Sequence, residues 1–155
     1  MEVHTDADTD HFAAADRDWQ VATGNWNFTD DGGTASTFTI FTVTGDILVT
    51  CIGVIDAAVT SVSNLGSISL GIAGGTGVLL GADTVDATAF AVDDVWTIGA
   101  GADNGSAIFD HDAGRVIAGG ANINLFRITQ NLTAGDIDFY AYWRPLSANG
   151  NVVAT

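Results

Sequence analysis

No window of this chain repeats its apolar residues every 3.6 positions, while Gly- and Asp-containing clusters cut it into pieces about 8 to 12 residues long. That pattern excludes a helical bundle and leaves short strands joined by tight turns. STFTIFTVT (36–44) alternates Thr or Ser with Phe, Ile and Val, which suits a pleated surface. Thr44-Gly45-Asp46 is a turn signal, and ILVTCIGVI (47–55) reads as the next strand. SISLGIA (67–73), a turn at GGTG (74–77), VLLGA (78–82), VWTIG (95–99), SAIFD (106–110), RVIAG (115–119), ANINLFRIT (121–129) and DIDFYAYWR (136–144) follow. Asp83–Ala91 (DTVDATAFA) fits a strand or a short helical turn. The single proline, Pro145, stands just after the last of these strands, where it breaks no central ladder. About ten short antiparallel strands in one domain predict an all-β, jelly-roll-like β-sandwich over residues 19–155, preceded by a polar, acidic N-terminal arm over 1–18.

The strand period assigns faces. In 36–44, Phe38, Ile40 and Thr42 point one way and Thr39, Phe41 and Val43 the other. In 121–129, Ile123, Leu125 and Arg127 share a side opposite Asn124, Phe126 and Ile128. In 136–144, Ile137, Phe139, Ala141 and Trp143 form a core face, and Asp138, Tyr140, Tyr142 and Arg144 an amphipathic stripe suited to a protein partner. Tyr140, Tyr142 and Arg144, together with Phe12 in the arm, are the expected interface residues, because Tyr and Arg are enriched in interfaces.

At 155 residues the chain buries about 70% of its unfolded surface and holds a core without covalent staples. The only cysteine, Cys51, lies in an apolar run, has no intrachain partner, and is expected to be a buried thiol. The charge balance is lopsided: 18 Asp, one Glu, four Arg and no Lys give a net charge of −15. Binding to nucleic acid or to an anionic membrane is therefore not expected, since nothing supplies the neutralising cations. The balance suits a salty medium, where screening shortens repulsion between copies; a GC-rich genome that avoids Lys codons is the rival explanation. MEVHTDADTDHF has neither the basic nor the apolar region of a signal peptide, and no apolar run reaches the ~18 residues of a membrane span.

Sites for chemistry are few. Asp6, Asp8 and Asp10 match the first three ligand positions of a calcium loop, but His11 replaces its glycine and Arg17 its bidentate glutamate. What is left is a looser Ca²⁺ or Mg²⁺ site on those three aspartates or, as expected here, a solvated arm with no cofactor. In Asp110-His111-Asp112 the histidine faces away from the two carboxylates on a strand, and Asp112-Ala-Gly reads as a turn. No Gly-x-Ser-x-Gly elbow occurs, and a phosphate loop needs a Lys. Asn27, Asn104 and Asn131 begin N-glycosylation sequons. Trp19, Trp26, Trp96 and Trp143 either form a sugar-stacking platform or, for at least two of them, pack in the core.

SISLGIAGGTGVLLGADTVDATA resembles a stretch found in small β-rich virion proteins of tailed viruses, of the type LG-x-A-G-x-T followed by two branched aliphatics, an Ala/Thr/Asp-rich segment and a Trp. Leu70-Gly71, Ala73-Gly74, Thr76, Leu79-Leu80 and Trp96 carry it, and the ending DIDFYAYWRPLSANGNVV (136–153) is similar too. The resemblance covers residues 66–155 and brings no catalytic signature. It implies a decoration, turret or head-fibre protein on the capsid surface of the virion, non-enzymatic and homo-oligomeric (a trimer is expected), in contact with the major capsid protein. The Lys-free, acidic composition is similar to that of haloarchaeal tailed-virus proteins. The alternative is a carbohydrate- or receptor-binding sandwich, with calcium as a potential aid.

Overall fold

The computed structural model describes residues 19–85, 90–98, 100–103 and 114–155. The N-terminal arm, with Asp6, Asp8, Asp10 and Phe12, lies outside them, as do Asn104, the SAIFD stretch and Asp110-His111-Asp112.

Among the described residues eleven strands form two antiparallel sheets. They are β1 (Gln20–Asn27), β2 (Thr37–Thr44), β3 (Ile47–Ser61), β4 (Gly66–Ile72), β5 (Gly75–Val85), β6 (Val95–Thr97), β7 (Ala100–Asp103), β8 (Arg115–Ile117), β9 (Ile123–Ile128), β10 (Leu132–Pro145) and β11 (Asn151–Ala154). One helical turn, α1 (Phe28–Asp31), follows β1; Asn27 caps it by accepting from the Thr29 backbone N–H at 2.8 Å. Sheet A runs β1-β10-β3-β6-β7 with β8 also on β3, and sheet B runs β11-β2-β9-β4-β5. The first strand therefore pairs with the tenth and the second with the ninth. This is the wrapped double Greek key of a jelly roll, and the all-β sandwich expected from the turn spacing is the fold.

The core lies between the sheets. Ile137, Phe139, Ala141 and Trp143 all face it, as the alternation of β10 predicts, and so do Ile123 and Leu125 of β9. Trp96 meets Phe90 edge-on at 5.4 Å and Phe139 at 6.4 Å between ring centroids. Trp26 is fully buried.

Several details differ from the sequence pattern, each for a backbone reason. A register shift on β2 between Thr39 and Phe41 puts Ile40 and Phe41 both in the core, so strict alternation fails there. A shift on β5 does the same for Leu79 and Leu80. The turn before β5 is Ala73-Gly74, with Gly74 at φ 87°, and Gly75 already pairs with Ile72. β3 and β10 run to 15 and 14 residues because their pairing continues through bulges past Asp136. Pro145 is the last residue of β10, and a further strand, β11, follows it.

Candidate docking surface

Opposite residues in antiparallel strands share a face, so the register of sheet A spells out its outer surface row by row. Tyr142 stands between Val21 of β1 and Thr50 of β3, and Tyr140 between Thr23 and Ile52. Arg144 lies opposite Leu48, which in turn lies opposite Val116 of β8. The Arg144 guanidinium sits over the Trp19 ring, 5.7 Å from its centroid. The next row down changes character. Asn25 faces Asp138, and beyond it come Val54 and Val95; then Asn27 faces Asp136.

The upper rows form an aromatic and aliphatic surface that, among the described residues, holds one cation and no carboxylate. Val21 is 53% exposed and Val116 64%, and Trp19, Tyr140, Tyr142 and Arg144 are only partly covered. Thr50 is buried although it faces outward, because larger neighbours on its own sheet face stand around it. At the lower end the two carboxylates are held by amides. Asn25 Nδ2 donates to Asp136 Oδ1 at 2.6 Å and Asp138 Oδ1 at 2.8 Å, and Asn27 Nδ2 donates to Asp136 Oδ2 at 2.6 Å. Among the described residues the face is thus aromatic and aliphatic at one end and acidic at the other.

Sheet B presents a different surface. The rows opposite its core face set Thr37, Phe126 and Ser69 side by side, then Thr39, Asn124 and Gly71, and of these Ser69, Asn124 and Gly71 are buried. Thr39 Oγ1 donates to Asn124 Oδ1 at 2.9 Å.

Two clefts are lined by described residues. One, about 450 Å³, is lined by Ile72, Val78, Ile98, Val116 and Ile117, with Arg115 at its mouth donating through Nε to the Val78 carbonyl at 3.4 Å. The other, about 380 Å³, is polar and lies between β1 and β11, bordered by Asn25, Asp138, Tyr140 and Thr155. Neither collects a nucleophile with a base. Among the described residues no three His, Cys, Asp or Glu side chains cluster to hold a metal.

The other sequence candidates fall into place individually. Cys51 is buried, and burial pushes its thiol pKa far above the ordinary range. Trp26, Trp96 and Trp143 are core residues, so a four-tryptophan platform does not exist and Trp19 alone reaches the surface. Asn27 and Asn131 both hydrogen-bond within the chain, half-buried Asn27 to Asp136 and exposed Asn131 by accepting at Oδ1 from the Ala35 N–H at 2.8 Å. Arg127, which the alternation of β9 sends inward, is indeed buried, and burial depresses its pKa while nearby Asp31 opposes the shift. Its guanidinium donates to the Gly32 carbonyl and, at 2.7 Å, to Ser36 Oγ, and lies between the Trp26 and Phe38 rings. It fastens β9 to the α1–β2 connection.

Sequence reasoning found Tyr140, Tyr142 and Arg144 but missed Trp19, Val21, Leu48, Ile52 and Val116 as parts of the same surface. A signal was present in β3, where Leu48, Ile52 and Val54 make the outward positions as apolar as the inward ones. No family model, curated protein or solved structure matches this chain.

Proposed function

We propose that this chain is a non-enzymatic structural protein that works by surface contact, and that its setting is the capsid surface of a tailed virus, where it decorates or caps the shell. The observation that carries the contact reading is the aromatic and aliphatic upper part of the face spread over β1, β10, β3 and β8, which among the described residues holds no carboxylate, in a chain of net charge −15. An exposed apolar patch rimmed by polar residues marks an interaction site. In so acidic a molecule such a patch is costly to leave bare and repels an acidic partner least. The jelly roll is in keeping with this role, since the architecture recurs in capsid and lectin domains, although a fold alone assigns no function. The capsid setting rests on the sequence resemblance of residues 66–155.

The test is direct. Purified particles of the encoding virus are analysed by mass spectrometry and cryo-electron microscopy. The chain is expected on the shell, and Tyr140→Asp, which puts a carboxylate in the middle of the patch, is expected to remove it from the particle. Particles that lack the wild-type chain refute the capsid setting. Particles that retain the variant at full occupancy refute the assignment of this surface.

A further inference from the structure

We infer that the cleft between β5 and β8 binds a small aliphatic carboxylate, its chain lying among branched side chains and its head on Arg115. This goes beyond the contact reading above and rests on other observations. The backbone leaves the space open. β10 holds one side of β3, while β8 pairs with Ile47–Val49 and β6 with Gly53 and Val54 on the other. Among the described residues no strand covers that second side from Thr50 to Ile52. Ile98, just past β6, and Arg115 and Ile117 of β8 border the cleft from sheet A, and Ile72 and Val78 border it from sheet B. Gly77 and Gly81 of β5 also line it and bring no side chain to fill it; at Gly81 a Cβ would meet nothing within 4 Å. The volume of about 450 Å³ suits a small molecule.

The lining selects the chemistry of the occupant. Its described side chains are aliphatic except for Arg115. A ligand with several hydroxyls, or a peptide with its amides, would bury them there without partners. The Val78 carbonyl is already engaged, accepting from Arg115 Nε at 3.4 Å. That contact leaves Arg115 Nη1 and Nη2 without a partner among the described residues. The chain carries 19 acidic residues, so a carboxylate of its own is the ordinary partner for an exposed guanidinium. One left unpaired beside an apolar cleft points to an anion from outside. The buried Arg127, by contrast, spends its guanidinium on Gly32 and Ser36. A net charge of −15 disfavours a doubly charged head such as a phosphate, which leaves the single charge of a carboxylate on an otherwise apolar chain.

Octanoate is the probe, titrated into the full chain and followed by calorimetry and by amide NMR shifts. Salt of ~1 M confines repulsion from the rest of the surface to ~3 Å. The wild type is expected to bind octanoate with a Kd of about 0.1–1 mM, a weak small-ligand affinity, and to shift the amides of Ile72, Val78, Ile98 and Ile117. Hexanol, matched in chain to hexanoate but uncharged, is expected to bind ~10-fold more weakly than hexanoate. Arg115→Gln is expected to weaken octanoate ~10-fold and to leave hexanol within about twofold. Gly81→Leu fills the cleft and is expected to abolish binding of every probe. Circular dichroism melts establish that each variant is folded. Should Gly81→Leu not fold, Val78→Asp replaces it; it offers the guanidinium an internal carboxylate and is expected to weaken octanoate at least ~10-fold. A wild type with no saturable octanoate binding up to ~10 mM overturns the inference. So do hexanol binding as tightly as hexanoate, Arg115→Gln binding octanoate like the wild type, and a folded Gly81→Leu that still binds. None of these variants alters Tyr140, so the particle experiment above succeeds or fails separately.

Discussion

Gly135 and Gly81 offer the same chemical change in two environments. Gly135 lies on β10 within the irregular pairing between Ala134 and Asp136, at φ 141°. A Cβ there would stand 2.9 Å from Val59 Cγ2, 3.0 Å from Val59 Cα and 3.1 Å from Trp26 Cζ3. Gly135→Ala thus combines a backbone conformation that L-residues rarely adopt, about 1–3 kcal/mol, with overpacking against fully buried side chains, about 1–3 kcal/mol. The expected loss is about 2–6 kcal/mol. At Gly81 on the edge strand β5 a Cβ meets nothing within 4 Å and φ is not left-handed. Gly81→Ala restricts only the unfolded chain there, and a gain of up to about 1 kcal/mol is expected. Urea unfolding followed by tryptophan fluorescence measures both against the wild type. A Gly135→Ala variant with the wild-type midpoint, or a Gly81→Ala variant that loses as much as Gly135→Ala, would refute the packing argument.

Phe139→Ala removes a fully buried ring that packs on Trp96 and is expected to cost about 3–5 kcal/mol in the same urea assay. Arg127→Met fills the slot between Trp26 and Phe38 but gives up the guanidinium bonds to the Gly32 carbonyl and Ser36; a loss of about 2–4 kcal/mol is expected in urea unfolding, and no loss would show that burying this charge offsets its bonds. Cys51 keeps its proton when folded because burial raises its pKa. The unfolded thiol ionises near ~8.5, so stability holds below that pH and falls above it by up to about 1.4 kcal/mol per pH unit; Cys51→Ala should flatten that slope in alkaline urea titrations, and an unchanged slope would sink the assignment. With a net charge of −15, raising salt from ~0.1 M to ~1 M shortens the range of repulsion from ~10 Å to ~3 Å. Thermal melts by circular dichroism should therefore move upward with salt, and a melting temperature independent of salt would count against a salt-adapted surface.

What the sequence revealed depended on how regular each strand is. β10 alternates without interruption from Ile137 to Trp143, and its core face and outward stripe were both legible. β2 and β5 were legible as strands but not in their facing, because bulges at Ile40 and beside Leu79 insert residues that no period of two anticipates. β1 (QVATGNWN) carries Gly and two Asn with low strand propensity, and it is a strand because β10 pairs with all eight of its residues. The surface proposed for contact followed the same rule. Its β10 members could be read from one segment, whereas Val21, Leu48 and Val116 join them only through register. The burial of Arg127 was predicted by spacing, but its partners Gly32 and Ser36 are more than 90 residues away in the chain.

The pairing of first strands with last also bears on how the molecule comes into being. Gln20 is opposite Trp143 and Thr44 opposite Asn151, so neither sheet can close until residues 143 and 151 have left the ribosome. Such contacts carry a large loop-closure cost, and refolding is expected on the millisecond-to-second scale. Throughout synthesis, β2 and β3 wait with open ladders and an apolar face each, the state most prone to join with other unfinished chains. Nine of the 18 Asp lie in residues 1–61, so much of the negative charge is already in place then and holds nascent copies apart until their own later strands arrive.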